Sequence, residues 1–167
     1  MSYPSTLDSH GMRNWATRAV GELAHRRDEI NALNVFPVPD SDTGSNMAHT
    51  MEAAVAELDN GGDVADSLAL GAVRGARGNS GMVLSQVLRG VAESTVDSVI
   101  AADVFVRSLK QAVELVDRAI AEPVEGTVIT VLKAASESAE DAAAQSGATL
   151  HSIVSAAIAA AETVLER

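Results

Sequence analysis

Apolar side chains recur at three- and four-residue spacing along most of the chain, the period of amphipathic helices. The first stripe, Met12, Trp15, Ala16, Ala19, Val20 and Leu23, predicts a helix from about Leu7 to Leu33, opened by Ser5 or Asp8. The lone Trp15 is expected as a core anchor there, with His10 and His25 on the solvent side. Met47, Met51, Ala54, Val55 and Leu58 predict a second helix from Ser45 to Leu58, and a third is expected from Val64 to Arg74. A fourth opens at the run Met82 to Leu88, and Val106, Leu109, Val113, Val116 and Ile120 place a fifth from Ala102 to Ala121. The β-branched run Thr127 to Val131 has strand propensity, but the alanines after it continue the helical period and no partner strand is evident. It therefore reads as the start of a sixth helix, capped by Thr127 and reaching Ala144, with Val128, Val131, Leu132 and Ala135 inward. The last helix, Thr149 to Glu166, is expected to bury Leu150, Ile153, Val154, Ala157, Ile158, Ala161 and Leu165. No repeat or linker divides the pattern, which predicts one all-α domain over residues 1–167.

Two stretches break the period. In Asn34-Val35-Phe36-Pro37-Val38-Pro39-Asp40-Ser41-Asp42-Thr43-Gly44-Ser45-Asn46-Met47, the prolines lack backbone donors and hold the approach extended. Asp40 and Asp42 are thus presented by a stiff loop just before a helix start within Thr43 to Asn46. Bare amides and the positive dipole end at such a start favour phosphate, and carboxylates beside phosphate call for a cation such as magnesium. A plain capped helix after a loop accounts for Asp42 or Thr43 alone, and the local pattern leaves both readings open. An EF-hand is disfavoured, because no Glu stands at the twelfth position from either Asp. The second break, Gly75-Ala76-Arg77-Gly78-Asn79-Ser80-Gly81, is a glycine-rich loop opening a helix. It lacks the Gly-Lys-Ser/Thr end of a Walker A loop. It can cradle phosphate on its amides or simply join two closely packed helices.

Composition narrows the classes. The chain has 167 residues, 47% of them hydrophobic but only 2% aromatic, so the core is built from Ala, Val, Leu and Ile. With no cysteine there is no disulfide, thiolate metal site or cysteine nucleophile. A net charge of −11 argues against a nucleic-acid partner and makes a metal ion the natural mediator of any phosphate binding. No basic-then-apolar leader and no apolar run near the ~18 residues of a membrane span are present, and a cytoplasmic location is expected.

The blocks Asn31 to Asp40, Asp42-Thr43-Gly44 and Gly75 to Gly81, with Glu125-Gly126-Thr127, resemble the nucleotide-binding domain of the dihydroxyacetone kinase L-subunit type. The nearer branch is the N-terminal domain of bacterial fatty acid kinases of the FakA type, which work with DegV-like fatty-acid-binding proteins. The resemblance implies a closed barrel of antiparallel helices that binds ATP with two magnesium ions at one end. Asp40 and Asp42 match the paired metal-binding aspartates, and Asn34 is the nearest polar candidate for a third ligand. Thr43, Gly44, Ser45 and Asn46 match the segment that wraps the phosphates, and Gly78, Asn79 and Ser80 fall in the second phosphate loop. Thr127 and Val128 match a segment near the adenine. Ser41 replaces the glycine that most members carry between the aspartates. The family also continues with a further helix beyond the equivalent of Arg167, so the resemblance implies a barrel lacking its last helix and a possible homodimer through the uncovered stripes.

The resemblance implies phosphoryl transfer to the carboxylate of a carrier-bound fatty acid. The alternatives are an L-type dihydroxyacetone kinase subunit holding ADP and a non-catalytic helical interaction module. None of the four histidines has a neighbour that marks it as a base, and no acceptor pocket is legible.

Overall fold

The computed structural model describes residues 3–33, 42–95, 97–120 and 128–165. Asp8 opens the first helix, α1 (Ser9–Leu33), by accepting the Gly11 N–H on Oδ1 at 2.8 Å. The helix starts at Ser9 rather than Leu7 because Thr6–Leu7 form a two-residue strand, β1. This pairs antiparallel with β2 (Ile100–Ala101), Thr6 opposite Ala101 and Leu7 opposite Ile100. Strands this short carry no alternating pattern, and the sequence gives no sign of them. There follow α2 (Thr43–Glu57), a 3₁₀ turn at Leu58–Asn60, α3 (Val64–Gly75), α4 (Gly78–Ser94), α5 (Ala102–Ala119), α6 (Val128–Ala143) and α7 (Leu150–Leu165). The run Val128 to Val131 is helical, as the alanine period requires. A reciprocal cap starts α7: Thr149 Oγ1 accepts the Ser152 N–H, and Ser152 Oγ accepts the Thr149 N–H.

Each helix packs on the next, giving the all-α bundle that the pattern predicts. The Lys110–Glu140 and Asp117–Lys133 ion pairs tie α5 to α6 in the antiparallel sense, and Ser138 Oγ donates to the Ala156 carbonyl between α6 and α7. Small residues set the spacing. Gly71 on α3 lies so close to α2 that a side-chain carbon there would meet the Ala53 carbonyl and stand 2.9 Å from Ala54 Cα. One apolar cluster joins α1 to α4 through Met12, Ala16, Met51, Ala54, Leu68 and Leu88. A second joins α4, α5 and α6 through Val83, Ala112, Val116, Ile129 and Leu132, and a third holds α7 through Ala139, Ile153 and Ala157.

Three expected core positions face outward. Trp15 is 48% exposed, because α1 is an edge helix covered along a narrow strip and only Met12 and Ala16 are fully buried on it. On α7, which leans chiefly on α6, Ile153 and Ala157 are buried while Ile158 is 54% exposed. On α6 the inward residue of the first turn is Ile129, and Val128 is 38% exposed. Among the described residues no helix is long and apolar enough to cross a membrane.

Asp63 ties the end of the bundle where α3 begins. Its Oδ2 accepts the Asp66 N–H at 3.1 Å, and its Oδ1 accepts the Ser98 hydroxyl. Asp97 and Ser98 hold left-handed backbone angles, φ 54° and 60°, so this hydrogen bond fastens an otherwise disfavoured turn. The Ser98 hydroxyl and then the Asp66 amide hold the Asp63 carboxyl below the ordinary aspartate range. A depressed carboxyl stabilises the fold above its unfolded pKa, and that contribution is lost as pH falls through the folded value. Stability is therefore expected to drop below roughly pH 4, and Ser98→Ala should move the Asp63 titration, followed by NMR, back toward the ordinary value.

Candidate functional site

The two breaks in the helical pattern meet at one end of the bundle. Asp42 stands at the N-cap of α2 with φ −124° and ψ 0°, and its carbonyl accepts the Asn46 N–H at 2.8 Å. The helix begins at Thr43 rather than Ser45, so Thr43, Gly44 and Ser45 form its first turn. Asn31, in the last turn of α1, holds that turn: its Oδ1 accepts the Ser45 N–H at 3.1 Å and its Nδ2 donates to Ser45 Oγ at 3.0 Å. Asn31 thus caps the next helix rather than its own. Gly44 permits the approach, since a Cβ there would meet the Arg27 carbonyl and stand 2.9 Å from Asn31 Oδ1.

The second loop lies against the first. The fourth helix begins at Gly78, inside the glycine-rich stretch rather than after it, with Arg77 at its N-cap. Gly78 has φ +66°, a conformation glycine adopts freely, and a Cβ on it would be 2.5 Å from Asn46 Nδ2. Three residues on, Gly81 packs against Thr50 Oγ1. Asn46 to Thr50 and Gly78 to Gly81 therefore advance in the same direction, and α2 and α4 are parallel neighbours with adjacent N-termini. Thr50 is fully buried; its Oγ1 donates to the Asn46 carbonyl at 2.7 Å and accepts the Arg77 N–H at 3.2 Å. Val83 near the start of α4 shares a cluster with Ile129 in the first turn of α6, which brings Val128 to the same end.

This arrangement suits an anion. The first-turn amides Gly78, Asn79 and Ser80 have no carbonyl of their own helix to bond, and the positive dipole ends of α2 and α4 add at one place. Gly78 and Asn79 are exposed and Ser80 half-buried, so the turn is open to a ligand. Arg74 and Arg77 are exposed nearby and make no ion pair among the described residues.

Thr43, Gly44, Ser45, Asn46, Gly78, Asn79, Ser80 and Val128 are thus gathered at one end. Asn34, Asp40 and Thr127 lie outside the described residues. Among the described residues no group of three or more His, Asp or Glu is placed to hold a metal ion. The Asp42 carboxylate stands at this end, a hard oxygen ligand of the kind magnesium takes. Neither Thr50 nor the capping role of Asn31 is among the expectations from sequence. The signal for Thr50 was its place one helical turn after Asn46, on the face that meets the glycine loop.

Residues 37–167 match the DAK2 domain family. The chain is 38% identical over 140 residues to protein YloV of Bacillus subtilis, a match covering 80% of this chain and 25% of that protein. An uncharacterized protein of Staphylococcus aureus is 39% identical over 127 residues, covering 72% of this chain and 23% of its own length. One of Staphylococcus epidermidis is 38% identical over 125 residues, covering 71% and 23%. The chain spans about a quarter of the length of these relatives. With seven packed helices among the described residues and a family match over most of its length, the chain belongs to the DAK2 domain family, the dihydroxyacetone kinase L-type of kinase-related nucleotide-binding domain.

Proposed function

We propose that this end of the bundle binds ATP with magnesium and that the chain is the nucleotide-binding domain of a kinase acting on the carboxylate of a carrier-bound fatty acid. The observation that carries the nucleotide reading is the parallel pairing of the α2 and α4 N-termini through Thr50, with Gly78 seated on Asn46. Gly44 and Gly78 to Ser80 hold the phosphates on first-turn amides, and Thr43, Ser45 and Asn46 on their polar side chains, the Ser45 and Asn46 amides being engaged by Asn31 and Asp42. The Arg77 guanidinium supplies positive charge to an otherwise acidic protein. By the family resemblance, Thr127 and Val128 would adjoin the base. Asp40 and Asp42, with Asn34, are the residues that would hold magnesium. The ion would neutralise phosphate charge during transfer. A fatty acid carboxylate oxygen attacks the γ-phosphorus, the bond to the bridging oxygen breaks, and ADP and an acyl phosphate result. The acceptor class and its presentation by a DegV-like protein rest on the family resemblance.

Titration calorimetry of the chain with ATP, with and without magnesium, tests the nucleotide site. Micromolar-range binding that is lost with EDTA is expected. A folded chain that binds no nucleotide in magnesium overturns the reading, and ADP retained through purification would favour the dihydroxyacetone kinase relay instead.

A further inference from the structure

We infer that Thr50, a residue that would touch no ligand, sets the spacing of the two phosphate loops and is a positioning residue for the nucleotide site; this rests on the function proposed above. Its hydroxyl joins the two loops by hydrogen bonds on both sides, donating to Asn46 O at 2.7 Å and accepting Arg77 N–H at 3.2 Å. Both partners are consequential. Asn46 is the residue on which Gly78 rests, and Arg77 is the N-cap that decides where α4 begins. With the Arg77 amide held by Thr50, the amides that follow it, Gly78, Asn79 and Ser80, are the ones left to face outward. Gly81 completes the device, because any side chain there would strike Thr50 Oγ1.

A buried threonine within a helix ordinarily returns its hydroxyl to the carbonyl one turn back and does nothing more. Thr50 does this and also receives an amide from a segment 27 residues later in the chain. The second bond makes the start of α4 depend on α2. A hydroxyl suits this task because it donates and accepts at once. Valine has the same shape and can do neither, whereas serine keeps both bonds and loses only a methyl group.

The test compares wild type, Thr50→Val and Thr50→Ser by amide hydrogen exchange without nucleotide and by calorimetry with magnesium-ATP. In Thr50→Val, exchange at the two bonded amides of this turn, Arg77 and Gly81, should accelerate at least tenfold relative to amides of α5, which report global opening. Nucleotide affinity should fall about tenfold, the equivalent of one lost hydrogen bond, and Thr50→Ser should restore both. Equal acceleration at Arg77 and Gly81 and in α5 would mean a merely structural residue and would overturn the inference. So would unchanged affinity in a Thr50→Val chain whose wild type binds. A wild-type chain that binds no nucleotide overturns the nucleotide reading itself, while the exchange pattern still reports whether Thr50 governs the start of α4.

Discussion

Asp42→Ala is expected to abolish magnesium-dependent ATP binding while leaving the bundle folded. Removal of a charged metal ligand should weaken affinity by at least about 100-fold, or roughly 2.7 kcal/mol. The first turn of α2 has supports that do not involve the Asp42 side chain: Asn31 holds both Ser45 N–H and Ser45 Oγ, and Asn46 N–H bonds the Asp42 carbonyl, which alanine retains. Circular dichroism and urea midpoint should therefore change little. Asp59→Ala is the control, an exposed carboxylate in the 3₁₀ turn with no place in the site. Calorimetry should show wild-type affinity for Asp59→Ala and none measurable for Asp42→Ala. Asp40→Ala should behave as Asp42→Ala does. If Asp42→Ala bound magnesium-ATP as tightly as wild type, the metal role of this carboxylate would be wrong.

The largest stability loss among helix substitutions is expected at Gly71. Leucine is intrinsically better than glycine in a helix by up to ~1 kcal/mol, yet Gly71→Leu should destabilise by at least about 2 kcal/mol net. Its first side-chain carbon would already collide with the Ala53 carbonyl and lie 2.8 Å from Glu57 Cβ. Backbone cannot rotate away as a side chain can, so α3 must withdraw from α2, and overpacking of this kind typically costs 1–3 kcal/mol or more before the added carbons are counted (about 3 for leucine here). Gly21 on α1 gives the opposite sign. Nothing lies within 4 Å of a carbon placed there, so Gly21→Ala should stabilise by roughly 0.5–1 kcal/mol. Urea denaturation of both variants decides the matter: a destabilised Gly21→Ala or a neutral Gly71→Leu would show that these helices are not held at the close spacing set by Gly71.

The helices and their order were legible because the three-and-four period survives in every segment, and the alanine run after Val131 correctly outweighed the strand propensity before it. The apolar pattern does not say how wide a strip each neighbour covers. Trp15 belongs to the stripe of α1 by spacing, but a helix at the edge of a bundle buries only its innermost residues, and the indole falls outside them. The same holds for Ile158 on α7. At the site, glycines marked both loops, yet the start of α4 at Gly78 depends on an acceptor contributed by another helix, and no local pattern contains that information. β1 and β2 were illegible for a simpler reason, since two residues are too few to show a period.

The parallel alignment of α2 and α4 has a bearing on how such a chain can change by insertion or deletion. In an up-and-down bundle, polarity alternates with helix number, so whether two N-termini share an end is a matter of parity. One helix, α3, separates α2 from α4 along the chain, and loss of that helix alone would turn the Gly78 terminus to the opposite pole, however well the remainder repacked. Duplication or excision of helices in pairs would preserve the shared pole. Lineages carrying this architecture are therefore expected to vary in helix number between the two loops by even steps, while helices added outside them are free of that restriction.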